Sequence, residues 1–318
     1  MAKGQRRPGE AKSEILAQLP LACLDETAAV EFLEQQRWGG VSACPHCGDT
    51  AVYQMKDAKT GKRSKRFLWR CHGCKRQFTV RVGTVFEDSR IPLRHWCYAF
   101  WAACASKKGV SALQIQRQTE LSYKSALFMM HRIRWAMAKP NTTKPLKGTV
   151  EADETYVGGK PKRGQGISGR GTKKTPVVAV VERGGDVHAT TVTRVTARNL
   201  GAHIMGHVDL SARLMTDEFP TYRGIGRAFE GGHYTVKHSA GEYARGDVHT
   251  NTVECFFSIL KRGFYGTFHS VSKRHLHRYL DEFAFRWDTR KMDDGERTAA
   301  AIRGAEGKRL LYREPVRN

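Results

Sequence analysis

The chain contains no apolar run long enough to cross a membrane. The longest, residues 96–105, has ten residues between His95 and Ser106, about half of the ~20 that a spanning helix needs. The first twenty residues, MAKGQRRPGEAKSEILAQLP, lack the apolar stretch and cleavage site of a secretory signal. Both absences lead to the expectation of a cytoplasmic protein with no membrane partner. Acidic residues are scarce: 31 Asp and Glu face 54 Lys and Arg, leaving a net charge of +23. A field of that sign selects polyanions, so nucleic acid is the first expected partner. No internal repeat is found, and 40% hydrophobic with 27% charged residues argue against wholesale disorder, collagen and coiled coil. Eight cysteines do not form a disulfide framework, because four make two Cys-x-x-Cys pairs while Cys23, Cys97, Cys104 and Cys255 are scattered through apolar patterns. In a reducing compartment that usage points to metal.

At 318 residues the chain has room for about two domains and a small extra module. Charge divides it: residues 1–36 hold four basic and six acidic side chains, residues 37–148 hold 22 and five, and residues 149–318 hold 28 and 20. The expected organisation is a helical segment over 1–36 with Asp25 as a cap, a ribbon over 37–88, a helix-turn-helix over 89–140, an α/β domain over 148–290 and a tail over 291–318. Pro140, Pro145 and Gly148 mark the boundary before the α/β domain. Residues 158–174, GGKPKRGQGISGRGTKK, contain six glycines and six basic residues and read as a loop that cannot form a core.

Cys44-Pro-His-Cys47 and Cys71-His-Gly-Cys74 are separated by 23 residues. Two such turns supply the four thiolates of a closed tetrahedral Zn2+ site, so one structural Zn2+ is expected, with His46 and His72 as spectators or substitute ligands. Tyr53, Phe67, Trp69 and Phe78 alternate as ribbon strands, interleaved with Lys62, Arg63, Lys65 and Arg66. A basic surface of this kind can neutralise phosphates without reading sequence, or be no more than a solvated hairpin. From Ile91 onward the pattern turns helical. Pro92 opens one helix, Ser111 caps a second and Ser122 caps a third, which carries Lys124, His131, Arg132 and Arg134. The last two form a helix-turn-helix candidate for DNA, although Leu113, Ile115, Leu127, Met130 and Ile133 would also suit a three-helix core.

Residues 149–290 read as strands and helices of an α/β domain with a mixed sheet. Asp153 falls in the first strand, Asp217 at the carboxyl end of the fourth, and Glu254 on a late helix. Open α/β sheets place their sites at strand carboxyl ends. Glu254 and Lys261 lie seven residues apart, close to two helical turns, and Asn251 shares their face. A carboxylate and an ammonium so placed could hold a metal and a phosphate. Taken singly, each acid is equally compatible with a surface ion pair.

The strings VEADETYVGGK (150–160), TDEFPTY (216–222) and HTNTVECFFSILKRG (249–263) resemble bacterial insertion-sequence transposases of the DDE class related to the Merlin transposons, of the ISXO2-like type. The likeness runs on through YGTFH (265–269) and YLDEFAFRW (279–287), and upstream through the ribbon and the helix-turn-helix. It implies a ribonuclease-H-like mixed-sheet catalytic domain in which Asp153 and Asp217 bind metal and Glu254 is the third acid. Lys261 matches the lysine that follows that glutamate in many such enzymes. Asn251 is the alternative third ligand, and Glu254 is preferred because a carboxylate binds Mg2+ more strongly than an amide. Where a tryptophan is expected, this chain has Phe257.

The implied activity is phosphodiester hydrolysis at the element ends, followed by 3′-hydroxyl attack on target DNA, with two Mg2+ or Mn2+ ions in the site. Lys160, Lys162, Arg163, Lys173 and Lys174 would close around the strand by charge, joined by Lys261 and Arg262. His238 and His249 are candidates for proton transfer or for structure. Double-stranded DNA, a homo-oligomer able to hold two ends, and association with the nucleoid are the expected partners and place. Two competing readings are a non-catalytic DNA-binding regulator and a resolvase or repair nuclease on the same fold.

Overall fold

The structure is a computed structural model that describes residues 14–140, 144–158 and 174–311. Of the basic loop, Lys160, Lys162, Arg163 and Lys173 lie outside the described residues. The chain divides into two units, one of residues 14–106, 112–137 and 292–311, the other of residues 107–111 and 138–291.

In the first unit, α1 (Glu14–Leu24) and α2 (Glu26–Trp38) are separated by Asp25, whose side chain accepts from the Ala28 N–H at 2.8 Å. This is the cap the sequence pattern requires. Gly39 ends α2 with φ of 59° and returns its N–H to the Gln35 carbonyl, a left-handed C-cap that glycine adopts without strain. The ribbon strands β1 (Val52–Gln54), β2 (Trp69–Cys71) and β3 (Gln77–Phe78) are antiparallel, with Tyr53 opposite Arg70 and Trp69 opposite Phe78. Trp38 packs edge-on to both Trp69 and Phe78, joining α2 to the ribbon. The Glu34 carboxylate makes the same junction, accepting from Arg63 at 2.5 Å and from the Trp69 indole at 2.8 Å.

Three further helices follow: α3 (Leu93–Ala105), α4 (Ala112–Thr119) and α5 (Tyr123–Met137). The orphan amides opening α3 are satisfied from α2, since the Leu93 and Arg94 N–H groups donate to Glu26 at 2.8 and 3.1 Å. Ser122 caps α5 through the Ser125 N–H at 3.2 Å. The stretch read as a tail carries a helix, Asp294–Arg303, capped by Asp293 and packed on α3.

The second unit is built on a mixed five-stranded sheet. In chain order its elements are β4 (Thr149–Val157), β5 (Thr175–Glu182), β6 (Val187–Thr191), α6 (Ala197–His207), β7 (Arg213–Asp217), α7 (Thr221–Gly226) and β8 (His233–Val236). A short pair, β9 (Ala244–Arg245) and β10 (Val248–His249), leads into α8 (Asn251–Gly263) and then α9 (Leu276–Asp288). The sheet order is β6-β5-β4-β7-β8, with β4 antiparallel to β5 and parallel to β7. Both faces are covered, which explains the unbroken apolar run of β5. Val177, Ala179 and Val181 pack on α8 and α9, whereas Val178 and Val180 join Val150, Ala152, Leu200, Ile204 and Tyr222 on the other face. Because side chains alternate along a strand, Glu151, Asp153 and Thr155, opposite Val181, Ala179 and Val177, share the α8 face.

Candidate functional site

Among the described residues, a cysteine cluster in the first unit and a set of acids in the second carry side chains of types that can ligate a metal. In the ribbon, the Cys44, Cys47, Cys71 and Cys74 sulfurs all lie within 4.8 Å of one another. The cross-knuckle separations are 3.7 Å for both Cys44–Cys74 and Cys47–Cys71. Four sulfurs each ~2.3 Å from a central Zn2+ would be about 3.8 Å apart, so the donor set fits a tetrahedral zinc site in identity and in size.

In the second unit, the α8 face of β4 presents Asp153, β7 ends at Asp217, and Glu254 stands in the first turn of α8. These three acids come from three elements separated in sequence, and the topology brings them into one electrostatic neighbourhood. Burial first, then the carboxylates of Glu154, Asp217 and Glu254, push the Asp153 carboxyl up to about 8, against a hydrogen bond from the Glu154 N–H at 2.7 Å. Asp217 is also raised, chiefly by burial, although the Phe219 N–H donates to it at 3.0 Å. Hard oxygen donors disfavoured by burial and mutual repulsion are what a divalent cation neutralises, so the residues fit Mg2+ or Mn2+. Among the described residues the four cysteines are the one group of three or more such side chains already gathered closely enough to hold an ion.

Neighbouring acids divide between holding the backbone and facing the site. Glu218 accepts from the Ser239 and His238 amides at 2.9 and 2.8 Å, which hold it down to about 2. Glu154 accepts from the buried Tyr222 hydroxyl at 2.7 Å. Glu254 is oriented by the Thr250 hydroxyl at 2.8 Å, and His238 Nε2 stands 3.7 Å from the same oxygen. Asn251 is exposed at the first position of α8, and Lys261 is exposed in its last turn. Arg262 turns back to Ser258, with 3.0 Å between guanidinium and hydroxyl.

Sequence reasoning missed Glu151. This carboxylate is wholly buried and accepts from the Thr252 and Val253 amides at 2.6 and 3.0 Å and from the Thr252 hydroxyl at 2.8 Å. Arg183 Nε pairs with it at 2.6 Å, and His249 Nδ1 lies at 3.2 Å. A carboxylate on the first amides of α8 satisfies orphan donors and complements the helix dipole. Glu151 thereby fixes the helix that carries Glu254 to the strand that carries Asp153. The available signal was period two: in VEADE, Glu151 and Asp153 fall on one strand face. His249 is engaged in this structural cluster.

The basic residues separate into exposed and engaged sets. Lys62, Lys65, Arg66 and Lys124 are exposed, and Lys174 is half-buried. Arg63 pairs with Glu34 and stacks near Phe67 and Trp69. Two assignments need correction. Arg132 and Arg134 are 5% and 1% exposed, so neither can lie in a DNA groove from this position. Arg132 instead donates to the Val85 and Glu87 carbonyls at 2.9 and 2.7 Å and covers the Phe128 ring. Leu113, whose spacing would also suit a three-helix core, is 54% exposed.

Comparison with known proteins agrees with this architecture. Residues 24–77 match a transposase zinc-ribbon domain, and residues 145–288 match an ISXO2-like transposase domain. These matches define the class as a mobile-element protein that joins a zinc ribbon to a mixed-sheet transposase domain. The chain is also 30% identical over 277 residues to an uncharacterized protein in transposable element ISH50 of Halobacterium salinarum, covering 83% of this chain and 91% of that one. The chain belongs to the ISXO2-like transposase family. No helix among the described residues is long and apolar enough to cross a membrane.

Proposed function

We propose that the protein is a DNA transposase that cuts the ends of its own insertion sequence and joins them to target DNA. The observation that carries this reading is that Asp217 and Glu254 both bear on the buried Asp153 carboxyl, in a domain matching that family. The sheet order β6-β5-β4-β7-β8 supports a ribonuclease-H-like fold, in which Asp153 and Asp217 sit on neighbouring strands.

Two divalent ions, when bound, would activate the attacking oxygen and stabilise the leaving one. Asp153, Asp217 and Glu254 would hold them, and Glu254 is favoured over Asn251 because a carboxylate binds Mg2+ more strongly than an amide. Thr250 and Glu151 keep Glu254 in place, the first through its hydroxyl and the second through the helix. Lys261, two turns beyond Glu254, would bind a backbone phosphate as a point charge. His238, 3.7 Å from Glu254, would take or give a proton beside it. Lys62, Lys65 and Arg66 would track phosphates. The exposed start of α5, with Tyr123 and Lys124 after a three-residue turn, is the part of the helix-turn-helix able to reach base edges. The proposed partners are double-stranded DNA and further copies of the chain, assembled on two ends in the cytoplasm at the nucleoid.

Transposition in cells tests the reading. A marker between the element's own ends should move to new sites flanked by short target duplications with the wild type, and not with Asp217→Asn. A wild type that binds the ends tightly yet never moves the marker would favour the regulator instead.

A further inference from the structure

Two of the three elements that carry the acids, β4 and α8, run on into a second concavity. Along β4, Val157 lies four residues beyond Asp153 on the same face, about 13 Å away at ~3.3 Å per residue. Along α8, Lys261 lies seven residues beyond Glu254, about 10 Å away at ~1.5 Å per residue. Between these points is a pocket of about 110 Å3, lined by Tyr156, Val157, Lys261, Phe264, Tyr265 and His269.

Its construction suits a flat, partly polar ring. The helix does not stop at Gly263 but widens into a π-helical turn, Phe264–Phe268, a distortion often found at functional sites. His269 ends that turn in a strained conformation, with φ of 56° and ψ of −48°, where a non-glycine residue needs support. Phe264 is buried against Tyr279 and Phe283, which makes the floor rigid and apolar. Tyr265 is 58% exposed at the rim, an aromatic face turned out rather than packed. Lys261 and His269 add positive or hydrogen-bonding groups to the lining. An aromatic face with cations beside it is how proteins hold bases along a phosphate backbone.

We propose that this pocket holds one DNA base, turned out of the stack close to the phosphodiester on which the acids act. At ~3.4 Å per stacked base, a separation of 10–13 Å places the base about three or four nucleotides from the cut. Tyr265 stacks on the base, and Lys261 and His269 contact its phosphate or its edge. The inference rests on the transposase reading above, and its experiment separates the two.

The probe is a duplex of the element's own end with a single pyrrolocytosine placed in turn at each position within six bases of the cut, bound to the full-length zinc-loaded protein. Emission should rise at one position, on one strand, with the wild type and with Tyr265→Phe. Tyr265→Ala should abolish that rise and slow end cleavage about 5- to 100-fold, the range for one lost aromatic stack, with its melting temperature unchanged. If the wild type binds and cuts the ends while emission rises nowhere, or if the rise survives in Tyr265→Ala, the pocket assignment is wrong and the transposase reading stands. If the wild type neither binds nor cuts the ends, both fall.

Discussion

The four cysteines and the three acids are both sets of side chains of types that can ligate a metal, yet they are built in opposite ways. The cysteines come from two tight knuckles within 31 residues, and their sulfurs already stand at tetrahedral spacing, 3.7 Å across. The acids come from two strands and a helix spread over 102 residues, and burial first, then Glu154 and the other two acids, hold Asp153 near 8. One site is closed and complete from local sequence. The other is open, unstable in charge without a cation, and dependent on a scaffold to hold it together. A closed site serves stability, and an open one leaves positions for a substrate.

The largest effect expected from that contrast is on the ribbon. Cys71→Ser, or chelation of zinc, should unfold residues 44–78, because structural zinc contributes about 10–16 kcal/mol in comparable small modules. Zinc content and protease cutting within the ribbon check this. Persistence of a protected ribbon without metal would show that its aromatic core suffices.

At the open site the scaffold can be tested apart from any cation. Glu151→Ala should destabilise the second unit by about 3–5 kcal/mol, since it strands Arg183 and the first amides of α8. Urea unfolding measures it, and a change below ~1 kcal/mol would remove Glu151 from its place as the anchor of α8.

A signed, pH-dependent effect follows from Asp153. Its folded-state carboxyl is raised, so between pH ~4 and ~8 the native protein binds a proton that the unfolded chain has released. Stability of the metal-free protein should therefore fall as pH rises through this window and level off above it. Thermal melts should show that slope in the wild type, and a flatter one in Asp153→Asn or with Mg2+ present. A slope unchanged in Asp153→Asn would assign it to another group.

The smallest effect separates the two kinds of arginine. Replacing Lys65 and Arg66 by alanine should weaken DNA binding evenly across sequences and lower the salt slope by about 1.8, at ~0.9 per phosphate contact. Arg132→Ala should leave that slope alone and lower the melting temperature. Binding isotherms across a salt series distinguish them.

Much of this was legible from residue order. The knuckles gave the zinc cluster, because four thiolates at short spacing have few other arrangements. The strand RLMTD and the helix beginning at Asn251 were legible from periodicity and fell where Arg213–Asp217 and Asn251–Gly263 are found. Burial of charged groups was not legible. Arg132 and Arg134 look in sequence like any basic helix face, and only the carbonyls of Val85 and Glu87 show that the first of them is spent inside the fold. Glu151 was hidden for the same reason, since the amides it caps lie 101 and 102 residues away. The helix Asp294–Arg303 was passed over because its run of small alanines carries little apolar signal.

The most direct test of the open site is cleavage of duplexes carrying the element's ends, with Mg2+ or with EDTA, comparing wild type, Glu254→Gln and Asn251→Ala. The account predicts metal-dependent cutting at the element boundary, reduced by at least about 10²–10³-fold in Glu254→Gln and retained in Asn251→Ala. Full cutting by Glu254→Gln with none by Asn251→Ala would contradict it and move the third ligand one turn back along α8.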